Sequence, residues 1–288
     1  MSERFSALFL VLGVTGFFGC ASTPQAFLET RFPSAKTRSI RPGVSYAVWT
    51  TTVPVVVHVL AIDLAQKGIS FRPVLGRDVV SEGPENKEPI LSMARRTGAL
   101  AMINADYGSK AGSNVEGLSV IDGKILFAPD PPGRSSVVIG KDHRVWIGRY
   151  SPQRNPELDY AQAVGGGPKI IEKGVFRWEV DDQGGINDED FKVPEGRWNK
   201  RHSMTALCLD QRRFMFWVVV HGEKPAPYFG MTPWELAQVL EKLGCWEAIR
   251  LDGGGSSAMV LQGRLVSTPF EGFPEGRPNG SSLGLFEP

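Results

Sequence analysis

Short β-branched runs broken by turn residues recur along this chain: Val53–Ile62, Ile69–Val74, Leu118–Ile121, Lys124–Phe127, Ser136–Ile139, Val145–Gly148, Phe214–Val220 and Ala248–Leu251. Runs of this length and composition, bounded by Gly, Pro, Asn and Asp, predict strands. Asp122-Gly123 separates two of them and predicts a tight hairpin, because Gly takes positive φ without steric penalty. Asp142-His143 and Asp210-Gln211 predict similar turns. Two helices stand out. Thr232-Pro233-Trp234-Glu235 offers a capping hydroxyl, a Pro at the first helical position and a Glu at the third, before Leu236, Val239, Leu240 and Leu243 and a stop at Gly244. The other runs from about Pro89 to Thr97 and stops at Gly98. The expected fold class is α+β, a single β-rich domain of mixed sheet with hairpins and a few helices.

With 42% hydrophobic residues among 288, the chain can bury a sizeable core. Its net charge of +1 supplies no overall field for nucleic acid or for an anionic membrane surface, so a partner has to be recognised locally. No charge run or Gly/Ser linker divides the chain after its first 45 residues, and we read residues 46–288 as one domain. The N-terminus differs in character. A short polar start is followed by the apolar stretch Phe5–Phe18 and then Gly19-Cys20-Ala21-Ser22, the anatomy of an export signal over residues 1–20. The apolar stretch is shorter than the roughly 20 residues that span a bilayer. A small residue before Cys20 resembles a bacterial lipoprotein signal, so Cys20 is the expected lipidation site, with cleavage and secretion or an uncleaved anchor as alternatives. Residues 21–45 then read as a tether, and the membrane is expected to be reached only through the lipid. Cys208 and Cys245 each sit in an apolar run and are expected as buried free thiols, with pairing in an oxidising compartment as the alternative.

Two triple glycines demand a reason, since consecutive glycines cost entropy on ordering and pack nothing. Gly165-Gly166-Gly167-Pro168 and Gly253-Gly254-Gly255-Ser256-Ser257 both end apolar runs. Either run fits two backbones in contact or backbone amides exposed to an anion. Asp252, pressed between an apolar strand and the second glycine turn, is a carboxylate whose environment can tune its pKa. A second polar cluster, Asn104-Ala105-Asp106-Tyr107-Gly108, also ends an apolar run, and together the two make a two-walled polar site.

Ile103-Asn104-Ala105-Asp106-Tyr107, Val164-Gly165-Gly166-Gly167-Pro168, Gly230-Met231-Thr232 before a helix, and Leu251-Asp252-Gly253-Gly254-Gly255-Ser256-Ser257 resemble the phosphodiester glycosidase family in order and spacing, from about Val55 to the C-terminus. The resemblance implies hydrolysis of the bond between a sugar's anomeric carbon and a phosphodiester oxygen. It also implies an envelope or extracellular glycan as substrate, and no cofactor. By that resemblance Asp252 is the expected base or nucleophile and Asp106 its catalytic partner, while Asn104 is expected to bind a sugar hydroxyl. The amides of Gly253, Gly254 and Gly255, with Ser256, Ser257 and Arg277, suit the departing phosphate. Tyr107, Gly165, Gly166, Gly167, Arg201 and His202 complete the expected substrate contacts. The chain departs from the family pattern where Met204 and Glu223 stand in place of arginines.

Other chemistries fit less well. Gly280-Ser281-Ser282-Leu283-Gly284 matches the hydrolase G-x-S-x-G string but has no downstream helix, acid and His. His58, His143, His202 and His221 show no metal-ligand spacing, which leaves a divalent cation on the oxygens of Asp252 or Asp106 as the metal option. The alternative function is a non-catalytic envelope protein that binds glycan or sugar phosphate, with Trp178, Trp198, Tyr228 and Phe229 as candidate stacking residues. Asp181-Asp182 and Asp188-Glu189-Asp190 read as a solvated acidic loop.

Overall fold

The computed structural model describes residues 23–80, 86–108, 115–130, 132–176, 201–221 and 230–287. Cys20, the four candidate stacking aromatics and the acidic loop lie outside them. The first half of the chain contains α1 (Pro24–Arg31), β1 (Lys36–Arg41), β2 (Val44–Thr50), β3 (Val56–Asp63), β4 (Ser70–Leu75), α2 (Ile90–Thr97), β5 (Ala101–Asn104), β6 (Ser119–Ile121), β7 (Lys124–Phe127), β8 (Ser136–Ile139) and β9 (Val145–Gly148). The second half adds β10 (Gln162–Gly165), β11 (Lys169–Glu172), β12 (Val175–Phe176), β13 (Met204–Asp210), β14 (Phe214–Val220), α3 (Pro233–Lys242), β15 (Cys245–Arg250), β16 (Met259–Leu261), β17 (Arg264–Leu265) and β18 (Ser281–Phe286).

The local signals act as their chemistry requires. Asp122 and Gly123 both take positive φ (50° and 78°) between β6 and β7, and His143 (63°) does so between β8 and β9. The Thr232 hydroxyl accepts from the Glu235 amide while the Glu235 carboxylate accepts from the Thr232 amide, closing a capping box on α3. Gly98 ends α2 in the left-handed conformation.

The strands form an eight-stranded sheet ordered β1-β2-β3-β14-β13-β15-β11-β12 and two five-stranded sheets, β7-β6-β10-β8-β9 and β17-β16-β5-β18-β4. A mixed sheet was expected, yet the described strand pairings are antiparallel throughout. Helix α3 does carry the chain from β14 across to β15, but β13 lies between them and is antiparallel to both. The large sheet has two apolar faces, as strand alternation allows. One face, with Leu60, Leu207, Trp217 and Ile249, meets the smaller sheets through Ile103, Val164, Met259 and Leu283. The other, with Val59, Phe216, Val218 and Ala248, is covered by Leu28 of α1 and Leu236 and Leu240 of α3.

Two expectations are corrected here. The tether proposed for residues 21–45 is folded from Pro24 onward. The Thr23 hydroxyl caps α1, Leu28 and Phe32 are buried, and β1 pairs with β2 along the edge of the large sheet. Cys208 and Cys245 are not free thiols but a disulfide with Cα atoms 5.7 Å apart, because the pairing of β13 with β15 brings them side by side.

A buried histidine pair lies on this sheet. The rings of His58 and His221 meet edge to face at 5.1 Å, His58 Nδ1 is 2.6 Å from the Tyr46 hydroxyl, and His221 Nε2 accepts from the Thr268 amide. Burial lowers both pKa values, His58 to about 3, with His221 adding to the effect, and His221 to about 4. Groups with depressed folded-state pKa contribute stability that is present above their unfolded value and lost as pH falls through the folded one. Asp106 acts oppositely below about pH 6, because burial raises its pKa to about 6. We therefore expect the histidine pair to make stability fall on acidification below about pH 6, opposed in part by Asp106 and by Asp252, whose pKa burial also raises. In His221→Gln this fall should be shallower, because one of the two groups that take up a proton on unfolding is gone; urea titrations that give the same pH dependence for both proteins would contradict the assignment.

Candidate active site

β15 ends at Arg250, and the chain then runs through Leu251 and Asp252 into a tight turn over Gly254–Ser256. Asp252 is held from both sides: its amide donates to the Ala105 carbonyl (2.8 Å) and its own carbonyl accepts from Asn104 Nδ2 (2.7 Å). The two polar clusters therefore do meet. The Asp252 carboxylate accepts from the Gly253 amide at 2.8 Å and from the Ser256 hydroxyl. Burial raises its pKa, opposed by Ser256, the Arg277 charge, the Gly253 amide and the Arg250 charge. Gly254 adopts φ 58° with open space where a Cβ would stand, and Gly253, Gly254 and Gly255 all remain partly exposed. Arg277 donates to Ser256 Oγ at 2.7 Å and packs against Gly255, so these predicted residues are one cluster. Ser257, buried, completes the turn.

The opposite wall is scaffold. Asn104 is fully buried, and its Oδ1 accepts from Thr205 Oγ1 (2.7 Å) and the Ala258 amide (3.1 Å). Buried at 0% exposure and with Nδ2 donating to the Asp252 carbonyl, its amide group does not reach the surface and positions the Asp252 backbone instead. Asp106 is corrected likewise. Only 1% exposed, it accepts from the amides of Tyr107, Glu116 and Gly117, each at 2.8 Å. Burial raises its pKa more than these amides and Arg134 lower it. A carboxylate enclosed in this way fastens the segment at Glu116 and Gly117 to the end of β5 and does not face a substrate. Tyr107 directs its hydroxyl to the carbonyls of Gly167 (2.8 Å) and Leu251 (3.0 Å), tying the two glycine runs together.

Gly165, Gly166 and Gly167 are buried, not substrate contacts. A Cβ on Gly165 would lie 2.7 Å from both Asp106 Oδ2 and Gly117 Cα, and one on Gly166 would lie 2.9 Å from the Arg250 carbonyl. Here glycine permits backbones to touch. Gly165→Ala is accordingly expected to destabilise the fold by roughly 1–3 kcal/mol through overpacking; a urea midpoint within error of the parent would show that the crossing is looser than described.

Arg201 and His202, adjacent in sequence, separate in space. Arg201 pairs with Glu235 and donates to the Gly230 carbonyl, facing a groove of about 420 Å³ that also contains Trp49 and Lys242. It is not part of the Asp252 cluster. His202 is, through Nε2, which lies 3.2 Å from Arg250 Nη2. Arg250 itself is a residue that sequence reasoning missed. It pairs with Ala206 across β13 and β15, so its side chain leaves the same face as Met204, the position where an arginine was expected to be lost. The sequence signal was a charged residue interrupting the apolar run Ala248–Leu251. Among the described residues, no three His, Cys, Asp or Glu side chains converge as a metal site.

The chain belongs to the phosphodiester glycosidase family, whose sequence profile matches residues 97–286. It is 42% identical over 52 residues to human N-acetylglucosamine-1-phosphodiester α-N-acetylglucosaminidase, an alignment covering 18% of this chain and 10% of that protein. A prophage-derived uncharacterized protein of Bacillus subtilis is 26% identical over 196 residues, covering 66% of this chain and 28% of its own length. The chain thus spans less than a third of these curated relatives. Among solved structures, the zebrafish N-acetylglucosamine-1-phosphodiester α-N-acetylglucosaminidase catalytic domain superposes with a TM-score of 0.69 at 20% identity, covering 88% of this chain and 89% of that one. A hypothetical protein from Synechocystis superposes at 0.70 with 16% identity, covering 88% and 64%. At these identities the structural likeness speaks for the fold.

Proposed function

We propose that the chain hydrolyses the anomeric carbon–oxygen bond of a sugar-1-phosphodiester in an envelope or extracellular glycan, releasing free sugar and a phosphomonoester. The observation that carries this reading is the asymmetry of the site: one carboxylate on a partly exposed residue, Asp252, with cationic and hydroxyl donors around it. Most glycosidases need a second carboxyl group to protonate a sugar alkoxide. A phosphate leaves as a stable anion and needs donors instead of an acid. With Asp106 withdrawn into the scaffold, the described residues fit the second case.

In this mechanism Asp252 acts at the anomeric carbon, either by taking a proton from the attacking water or by direct attack. The C–O bond breaks, its oxygen and electron pair stay with phosphorus, and the elements of water end on the sugar and the phosphate. Arg277 and the Gly255 amide receive the growing phosphate charge; the expectation that all three glycine amides would do so is corrected, because the Gly253 amide and the Ser256 hydroxyl donate to Asp252 and the Gly254 amide donates to the Ser203 carbonyl. The human and zebrafish relatives, named for a sugar-phosphodiester substrate, support this substrate class. Export is supported by the N-terminal pattern and by a Burkholderia pseudomallei protein described as exported, which shares the fold with a TM-score of 0.53 at 15% identity, covering 82% of this chain and 74% of that one. A tether through Cys20 remains part of the proposal. No helix among the described residues is long and apolar enough to cross a membrane.

The test is incubation of the purified protein with an α-N-acetylglucosamine-1-phosphodiester and a panel of other sugar-1-phosphodiesters, assaying reducing sugar and phosphomonoester together. Equal release of both is expected. Saturable binding without release across the panel would favour the non-catalytic binding protein.

A further inference from the structure

Arg250 is the charged group of this site that the mechanism above leaves unused. Its side chain lies at the end of β15 with the residue only 8% exposed, and it forms no ion pair with a carboxylate among the described residues. Nη2 faces His202 Nε2 at 3.2 Å, and Nε has no hydrogen-bond partner. The guanidinium lies against the glycine turn: a Cβ on Gly253 would be 3.4 Å from Nη2. In the same turn Ser257 Oγ is buried and also without a partner.

A buried guanidinium with an orphaned donor is costly, since desolvation is repaid only by pairing and by hydrogen bonds to the remaining protons. Asp252 balances one positive charge, yet both Arg250 and Arg277 act on it electrostatically. Among the described residues the cluster therefore carries one cation in excess, with an unpartnered Arg250 Nε and, in the same turn, an unpartnered Ser257 Oγ. That combination requires an anion with several acceptor oxygens, and the planar guanidinium fork matches the geometry of a phosphate.

We infer that Arg250, together with Ser257 and the more exposed Arg277, forms a phosphate-binding subsite beside Asp252, with Arg250 as its buried, specificity-determining member. The inference rests on the reading of this site as one for sugar phosphodiesters, but it is a statement about binding. It implies that inorganic phosphate, and the phosphomonoester product, occupy the subsite in competition with substrate.

The experiment is isothermal titration of the purified protein with inorganic phosphate, alongside phosphate inhibition of turnover. Arg250→Gln and Arg250→Lys are compared with the parent, and melting temperatures report folding. Loss of a charge-assisted pair predicts phosphate affinity lower by roughly 10–100-fold in Arg250→Gln. Arg250→Lys, which keeps the charge without the fork, should fall between, and it carries the test if Arg250→Gln does not fold. Parent protein that binds no phosphate, or variants that bind it like the parent, would overturn the subsite even if turnover is found. Phosphate binding that depends on Arg250, with no turnover on any phosphodiester, would uphold the subsite and remove the hydrolytic reading.

Discussion

Asp252→Asn is expected to lower turnover of a sugar-1-phosphodiester by roughly 10²–10⁴-fold, the contribution of a positioned acid or base. The substitution is nearly isosteric. An Asn side-chain oxygen can still accept from the Gly253 amide, and the backbone contacts of residue 252 to Ala105 and Asn104 do not involve its side chain. The charge, the basicity and one of the two acceptor oxygens are removed. Because burial raises the Asp252 pKa, the fold disfavours the ionised form, so a neutral amide should leave the melting temperature unchanged or raise it. Phosphate affinity should hold or improve once a like charge is gone from beside it. Activity falling while stability and phosphate binding do not is the signature of a functional carboxylate held at an energetic cost. A variant that keeps half of the parent turnover would remove Asp252 from the centre of the reaction.

The second large effect concerns the Cys208–Cys245 disulfide. It joins β13 to β15 across a sequence separation of 37, enclosing β14 and α3. Loop-closure entropy for a ring of that size is worth about 4 kcal/mol. For a domain of this size the double variant Cys208→Ala, Cys245→Ala should melt roughly 8–16 °C lower. Alanine is the informative replacement, since both positions are buried among Phe214, Phe216 and Leu243 and a hydroxyl there would add an unpaired polar group. The effect should reach the site as well, because β15 runs directly into Arg250 and Asp252 and its outer neighbour β11 is held to it by a register with an irregularity. Thermal scans with and without reductant provide the check; equal midpoints for the double variant and the oxidised parent would contradict it.

Much of the fold was legible in local patterns, and the misses share a cause. The hairpins at Asp122-Gly123 and Asp142-His143 and the capped start of α3 depend on residues within one turn of each other, so their chemistry is complete in the sequence. Helix α1 was missed because just Pro24 and Leu28 of its eight residues are buried, too few to write an apolar stripe. Its place is set by the edge it covers, next to β2 and β3. In the site, Asp252 and the Gly253–Gly255 turn were found because an acid pressed between an apolar strand and three glycines has few local explanations. Asp106 and Asn104 carried a comparable signal but face inward, onto the backbone of residues 116–117 and of residues 252 and 258.

The sequence by itself determined the β-rich class, eight of the eighteen described strands, the main turns, both periodic helices, and the family motif centred on Asp252. Tertiary structure alone decided which polar residues stay exposed and which brace the scaffold, that Arg250 joins Arg277 beside Asp252, that Arg201 turns away to a different groove, and that two buried cysteines are bonded. The physical reason is one of range. Propensity, periodicity and turn chemistry act over a few residues, whereas the direction in which a buried polar side chain finds its partners depends on strands that are distant in sequence, and β13 meets β15 only once the sheet has assembled.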